Sequence, residues 1–125
     1  MKITKKLLSI MVAVLPMAAS ADVLHYSICE LNQGKTLQDV QKWVDDWRPI
    51  AKKAGIDYKI RILSGHAAPA EVMPPNFIIE GETATLTSYA KAWEWWHSDP
   101  KASKSNEQLI SVAACGASQV YTTSE

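Results

Sequence analysis

Residues 36 to 63 read TLQDVQKWVDDWRPIAKKAGIDYKIRIL, and this stretch joins a helical pattern to a strand pattern. In its first part, apolar residues recur at alternating spacings of three and four, which is the period of one helix face. Thr36 with Asp39 has the form of a capping box, and Gly55 stands where helices commonly end. From Ile56 to Leu63, apolar and charged residues alternate, which predicts a half-buried strand.

The segments on either side predict more strands and a second helix. Val23 to Leu31 is rich in apolar and aromatic residues and ends at a turn signal, so it predicts the first strand. Asn76 to Glu82 predicts a third strand, and Leu86 to Ser98 predicts a second helix. Proline disfavours helix at its own position and at the residue before it. We therefore expect Asp99-Pro100 to stop the second helix and Pro49 to bend or locally break the first.

The last quarter of the chain allows two interpretations. In the first, Asn106 to Cys115 forms a short third helix that Gly116 ends, and Ser118 to Thr122 forms the final strand. The alternative is one long strand from Gln108 to Tyr121. The spacing of apolar residues and the Ala-Ala pair favour the helix.

The predicted order is β-α-β followed by β-α-β, which gives a ferredoxin-like split β-α-β sandwich of the α+β class. Such a fold has a four-stranded antiparallel sheet with helices on one face. Through this order, and through CELNQGKT at residues 29 to 36, the chain resembles the dimeric α+β barrel superfamily, which includes antibiotic-biosynthesis-type monooxygenases. The same stretch is similar to small exported proteins of that type.

The resemblance implies a homodimer in which two sheets face each other as a dimeric α/β barrel. The sheet face away from the helices is then of interest, because it would be the contact surface. We expect it to be polar enough to face solvent or a wet dimer interior, since it would carry the following residues: His25, Ser27, Asp57, Lys59, Arg61 and Glu80.

Residues 1 to 21 have the parts of a secretory signal peptide in order. Lysines at the start precede an apolar run at Leu7 to Leu15, and small residues follow at Ala19 to Ala21. The run is shorter than the roughly 20 residues that span a bilayer. We expect cleavage before Asp22, a single α+β domain at residues 22 to 125, and a periplasmic or secreted location.

Cleavage would also change the charge, because three of the 13 basic residues lie in the predicted signal peptide and all 13 acidic residues lie after it. Ten basic and 13 acidic residues then give the remaining chain a net charge of −3. A weakly acidic domain lacks the positive surface that nucleic acids require. We expect no nucleic-acid partner, and no membrane partner after cleavage.

The two cysteines, Cys29 and Cys115, are expected to form a disulfide. Disulfides persist outside the cytoplasm, and a small domain gains from one. Closing a loop of this length contributes roughly 4 kcal/mol in the chain-entropy account. Two buried thiols are the alternative interpretation.

The histidines, His25, His66 and His97, do not have the spacing of a zinc motif, so no metal is expected. Some haem-degrading members of the superfamily use a Trp and a His on the second helix together with an Asn on a strand. Trp93 and His97 resemble that placement, but the first strand lacks the Asn. No cofactor is therefore expected.

All five tryptophans lie on the two predicted helices. We expect Trp47 and Trp93 to fill the core between helices and sheet, because large rings dominate core burial. Trp95 lies roughly opposite Trp93 on the helix, and the adjacent Trp95 and Trp96 are not expected to face the same core. Trp95 is therefore the ring expected at the surface or at an interface.

Three functions fit these observations. The first is a domain that binds a small apolar or aromatic ligand between helices and sheet without catalysis, lined by Tyr26, Tyr58, Trp93 and His97. The second is a cofactor-independent monooxygenase-like enzyme in the same cleft, with His25 or His97 as proton acceptor. The third is a structural or interaction protein with Trp95 at a partner surface.

Overall fold

The computed structural model describes residues 22 to 124, which form four strands and three helices. The sheet has the order β2-β3-β1-β4, and every neighbouring pair of strands is antiparallel. This is the strand order of a ferredoxin-like α+β fold, as predicted. In chain order the elements are β1 (Val23–Leu31), α1 (Leu37–Lys53), β2 (Lys59–Leu63), a 3-10 turn (Ala70–Val72), β3 (Asn76–Thr83), α2 (Leu86–Ser98), α3 (Pro100–Val112) and β4 (Ala113–Thr122).

The helix α1 begins and ends as its sequence predicts. The Thr36 hydroxyl accepts from the backbone N–H of Asp39, and the Asp39 carboxylate accepts from the Thr36 backbone N–H at 2.8 Å. Gly55, just past the end, has a φ of 72°, which favours glycine. The helix is not broken at Pro49, because its apolar face is held against the core on both sides of the proline. The buried residues of that face are Val40, Trp43, Val44, Trp47 and Ala51.

The last quarter follows the helical interpretation, but with different bounds. The third helix, α3, begins at Pro100 and not at Asn106, because the Asp99 carboxylate caps it by accepting from the backbone N–H groups of Lys101 and Ala102 at 2.9 and 3.1 Å. Proline suits the first position of a helix, so the same Pro100 that stops α2 starts α3. The helix ends at Val112, before the predicted end at Gly116.

Residues 113 to 122 pair with β1 along its whole length, so the final strand is longer than predicted. Its pairing with β1 places Cys115 directly opposite Cys29, and the two cysteines form a disulfide, as expected. Between Cys115 and Ser118 the strand contains an additional residue relative to β1, which is a bulge.

The two faces of β1 are the reverse of the prediction. Val23 and Cys29 are buried in the core, so His25 and Ser27, which lie at every second position between them, also point towards the helices. The open face of the sheet carries Leu24, Tyr26 and Ile28 of β1. Because side chains alternate along a strand, choosing the wrong inward face for one residue of β1 places all the other residues of the strand on the wrong face. On β2 and β3, Lys59, Arg61 and Glu80 lie on the open face as expected, opposite the buried Ile60.

The predicted signal peptide, at residues 1 to 21, lies outside the described residues. Among residues 22 to 124, no helix is both long enough and apolar enough to cross a bilayer.

Candidate functional site

A cavity of about 250 Å³ lies between the helix layer and the sheet, and it is partly open to solvent. Nine of the residues that line it are aromatic: all five tryptophans, together with Tyr58, Tyr89, His25 and His97. Among residues 22 to 124, no Asp, Glu, Lys or Arg side chain lines it. The cavity therefore offers aromatic surface and a few neutral polar groups.

Three of the four predicted ligand-binding residues, Tyr58, Trp93 and His97, line this cavity. The fourth, Tyr26, lies on the open face of the sheet, where its ring packs against Tyr121 with centroids 5.8 Å apart. The error has the same cause as the reversed faces of β1. Both candidate proton acceptors, His25 and His97, line the cavity. His66 is exposed in the loop before β3 and does not line it.

The tryptophans of α2 are arranged differently from the prediction. Trp93 is 48 % exposed, so it is not a core residue, whereas Trp95 and Trp96 are partly buried. The reason is the orientation of α2, whose single buried residue is Ala92. Trp95 and Trp96 lie three and four positions after Ala92, on the same side of the helix.

The two adjacent rings lie 6.4 Å apart, centroid to centroid, and each also packs against a different ring of α1. Trp95 contacts Trp47 and Trp96 contacts Trp43, each with ring centroids 6.4 Å apart. The expectation that adjacent tryptophans would not share one core is therefore wrong. Trp93 is left at the cavity mouth, where its ring lies 4.3 Å from that of His97 and 6.1 Å from that of His25.

The polar centre of the cavity is the pair His25 and Tyr58. The Nδ1 atom of His25 lies 2.8 Å from the Tyr58 hydroxyl oxygen. Burial lowers the pKa of His25 from its ordinary value of 6.5, so the imidazole is neutral at pH 7. Burial, with a smaller effect of Tyr89, raises the pKa of Tyr58, so the phenol keeps its proton.

This pair depends on a glycine in the neighbouring strand. Gly81 lies directly opposite His25 in the sheet, and a Cβ atom there would overlap the Tyr58 hydroxyl. Because glycine has no side chain, residue 81 leaves room for the ring of Tyr58. Sequence reasoning missed Gly81, although an isolated glycine within a strand pattern is a signal of close approach.

Two side chains that line the cavity each have a ring nitrogen with no hydrogen-bond partner in the part of the chain that the structure describes. They are Nε2 of His25 and Nε1 of Trp47, and both atoms are buried. Trp43 provides the contrast, because its Nε1 donates to the backbone oxygen of Ser105 at 2.9 Å and to its hydroxyl at 3.1 Å. Buried polar groups in proteins are normally paired, so an unpaired one at a cavity is a feature of interest.

Metal ligation has no support in the arrangement of these side chains. Within the described range, no three His, Cys, Asp or Glu residues stand close enough together to share an ion. The cysteines are joined to each other, and the described histidines that line the cavity are surrounded by aromatic rings.

Comparisons with known proteins add little to this description. No family model matches the chain, and no curated protein is similar to it at a significant level. Among solved structures, the chain is similar to a dimeric protein of unknown function and ferredoxin-like fold from Bacteroides fragilis NCTC 9343. The two share 13 % sequence identity with a TM-score of 0.44, and the alignment covers 82 % of this chain and 94 % of the other.

Proposed function

We propose that this protein binds a small apolar or aromatic molecule in the cavity between helices and sheet, without catalysing a reaction on it. The observation that carries the proposal is a cavity lined by aromatic side chains, two of which, His25 and Trp47, have a buried ring nitrogen with no hydrogen-bond partner among residues 22 to 124. Ligand sites are typically concave and mostly apolar, with few polar groups that fix orientation. The volume of about 250 Å³ suits a molecule of one or two rings.

The aromatic walls supply both affinity and shape selection. Aromatic side chains bury large areas, and ring pairs prefer edge-to-face or offset contacts over random ones. At the cavity mouth, His25 meets Tyr89 and Trp93 edge-on, with centroids 5.6 and 6.1 Å away. A flat ligand would extend this set of contacts.

Filling the cavity tests the proposal. Ala92 is buried and lines the cavity, so Ala92→Phe should occupy its volume, whereas Ala90 is exposed on the same helix and Ala90→Phe should not. We expect the first variant to weaken binding of indane by more than tenfold and the second to leave it unchanged. Binding that is equal in both variants, or absent in the unmodified protein, would contradict the proposal.

A cofactor-independent, monooxygenase-like reaction in the same cavity is the second candidate. The observation that favours it is the neutral imidazole of His25, whose Nε2 has no hydrogen-bond partner within the described range. A positioned imidazole can take a proton from a bound substrate. This role requires Nε2 to be without a proton, and turnover should be abolished in His25→Gln.

The third candidate is an interaction protein. The exposed tryptophan on α2 is Trp93 and not Trp95, so the partner surface of that hypothesis moves to the cavity mouth. A partner bound there would cover the cavity without filling it. The Ala92→Phe variant should then bind the partner as tightly as the unmodified protein does.

We further propose that two copies of the chain associate through the open faces of their sheets. That face carries an apolar strip along β1, made by Leu24, Tyr26 and Ile28 and joined at Ile28 by Ile78 of β3, with the Arg61–Glu80 ion pair beside it. Tyr121 extends the strip onto β4 and is 49 % exposed. Contiguous apolar surface of this kind marks interaction sites, and the resemblance to dimeric α+β barrels points to a second copy as the occupant.

We also propose that the chain is exported and that residues 1 to 21 are its signal peptide. The disulfide between Cys29 and Cys115 supports an oxidising compartment, that is, a periplasmic or secreted location. N-terminal sequencing of the protein from the periplasm or medium should begin at Asp22. Retention of Met1 in the cytoplasmic fraction would contradict this proposal.

A further inference from the structure

The hydroxyl of Tyr58 decides which nitrogen of His25 carries the proton. His25 Nδ1 is the hydroxyl's only partner among residues 22 to 124, at 2.8 Å. If the hydroxyl donates, Nδ1 accepts, and the single unpaired group left is Nε2. If Nδ1 donates instead, both the phenolic hydrogen and Nε2 are left unpaired. Leaving a buried polar group unpaired is costly, so the first arrangement is favoured.

The first arrangement makes His25 a hydrogen-bond donor at the cavity. A neutral imidazole that accepts at Nδ1 carries its hydrogen on Nε2. The lowered pKa of His25 supports the neutral form, because burial disfavours the charged imidazolium. The Nε2 atom is buried and has no acceptor in the described part of the chain.

Trp47 adds a second group of the same kind. Its Nε1 can only donate, and it is also buried with no acceptor among the described residues. Both Trp47 and His25 contact Tyr58, the first ring to ring with centroids 6.1 Å apart and the second through its hydroxyl. The two unpaired ring nitrogens are thus donors, and both belong to cavity-lining residues that contact Tyr58.

The charge of the surroundings indicates what kind of acceptor would suit these donors. No Lys or Arg lines the cavity within residues 22 to 124. Burying a carboxylate without an opposite charge is expensive, whereas a neutral carbonyl needs only a hydrogen-bond donor. A neutral oxygen therefore fits these surroundings better than an anion.

We propose that the cavity selects small, flat aromatic molecules that carry a neutral carbonyl oxygen, and that this oxygen accepts a hydrogen bond from Nε2–H of His25. The inference rests on the proposed function, because it names the chemical class of the molecule that the cavity would bind. It also disfavours His25 as a proton acceptor, since its free nitrogen already carries a hydrogen.

A matched pair of probes tests the inference. 1-Indanone and indane have the same bicyclic frame and differ by one carbonyl, and indane-1-carboxylate adds a negative charge. We expect 1-indanone to bind about tenfold more tightly than indane, as one gained hydrogen bond implies. The carboxylate is expected to bind most weakly. Dissociation constants are measured from the indole N–H signals of the ¹⁵N-labelled protein during titration.

Substitutions assign the preference to the proposed atom. His25→Phe keeps a ring but removes the N–H, so the preference for 1-indanone over indane should disappear while indane still binds. Tyr121→Phe, on the open face, is the control and should retain the tenfold preference. Should His25→Phe fail to fold, long-range ¹H–¹⁵N spectra of the unmodified protein report directly whether the His25 hydrogen is on Nε2.

The outcomes separate this inference from the proposed function. If 1-indanone and indane bind equally well, or if the hydrogen is found on Nδ1, the inference is wrong and the binding function stands. If the carboxylate binds most tightly, the site takes anions and the inference is again wrong. If none of the three probes binds, the proposed function fails and the inference fails with it.

Discussion

Tyr58 packs so closely against the backbone of Gly81 that a Cβ atom on residue 81 would overlap the tyrosine hydroxyl. The contact keeps the hydroxyl of Tyr58 within hydrogen-bond distance of His25, which lies opposite Gly81 in the sheet. One backbone position therefore sets the geometry of the polar pair at the cavity. His25 lies on the central strand β1, and Tyr58 is the loop residue just before β2, so the glycine contact is what positions the Tyr58 ring against the sheet.

Replacing this glycine should damage both stability and the cavity. Gly81→Ala forces Tyr58 to move, and overpacking of this kind costs typically about 1 to 3 kcal/mol. Gly116 is the matched control, because a Cβ atom there meets no atom within 4 Å and its φ does not require glycine. Urea denaturation should show a clear loss for Gly81→Ala and little change for Gly116→Ala. Equal free energies of unfolding in the two variants would show that the space at Gly81 does not matter.

Removing the disulfide should destabilise the protein strongly. Cys29 and Cys115 are 86 residues apart, and a loop of this length implies a contribution of roughly 4 kcal/mol in the chain-entropy account. Unfolding is measured with and without reductant. The double variant Cys29→Ser, Cys115→Ser serves as control, since its stability should be low and insensitive to reductant. A transition that reductant leaves unchanged in the unmodified protein contradicts the expectation.

Acid should destabilise the folded state partly through His25. Its pKa is lowered by burial in the folded state, so as the pH falls through 6.5 the unfolded chain takes up the proton first. The contribution of the neutral imidazole is therefore complete above pH 6.5 and is lost as the pH falls towards the folded pKa. Tyr58 and Tyr89, which also face this region, stay protonated because their pKa values are raised.

The comparison protein for this pH dependence is His25→Phe. Its free energy of unfolding should fall less steeply than that of the unmodified protein as the pH falls below 6.5. His66 and His97 are present in both proteins. Parallel curves would mean that His25 titrates alike in the folded and unfolded states.

A charge on the open face of the sheet should separate the proposed dimer. Ile28 lies in the apolar strip of that face, and Ile28→Arg would place an unpaired charge in the interface, which is costly. Ile110 is 60 % exposed on α3, on the helical side, so Ile110→Arg makes the same change outside the interface. Sedimentation equilibrium should show a monomer for the first variant and a dimer for the second. A monomer in the unmodified protein at all concentrations rules the dimer out.

The sequence predicts the fold well wherever a local pattern and its end signals agree. The helix α1 has both a capping box and a terminal glycine, and its bounds are confirmed. The start of α3 was missed because Pro100 was read only as a breaker, although Asp99-Pro100 is equally a cap followed by a first helical residue. The end of α3 was missed because pairing with β1, and not helix propensity, decides where Ala113 lies.

The candidate site was predictable in its composition but not in its orientation. In β1 both sets of alternate residues mix apolar and polar side chains, so periodicity does not say which face is inward. Burial of Val23 and Cys29 decides it and brings His25 to the cavity while turning Tyr26 away. The contact between Gly81 and Tyr58 joins distant parts of the chain, and no local pattern shows it.

Intermolecular nuclear Overhauser effects from bound 1-indanone are the sharpest test of whether the cavity binds an aromatic molecule. We expect contacts from the ligand to the side chains of Trp47, Tyr58 and Trp93, which line the cavity. Contacts confined to Tyr26 and Tyr121 on the open face of the sheet, or no bound ligand at its solubility limit, would contradict this expectation.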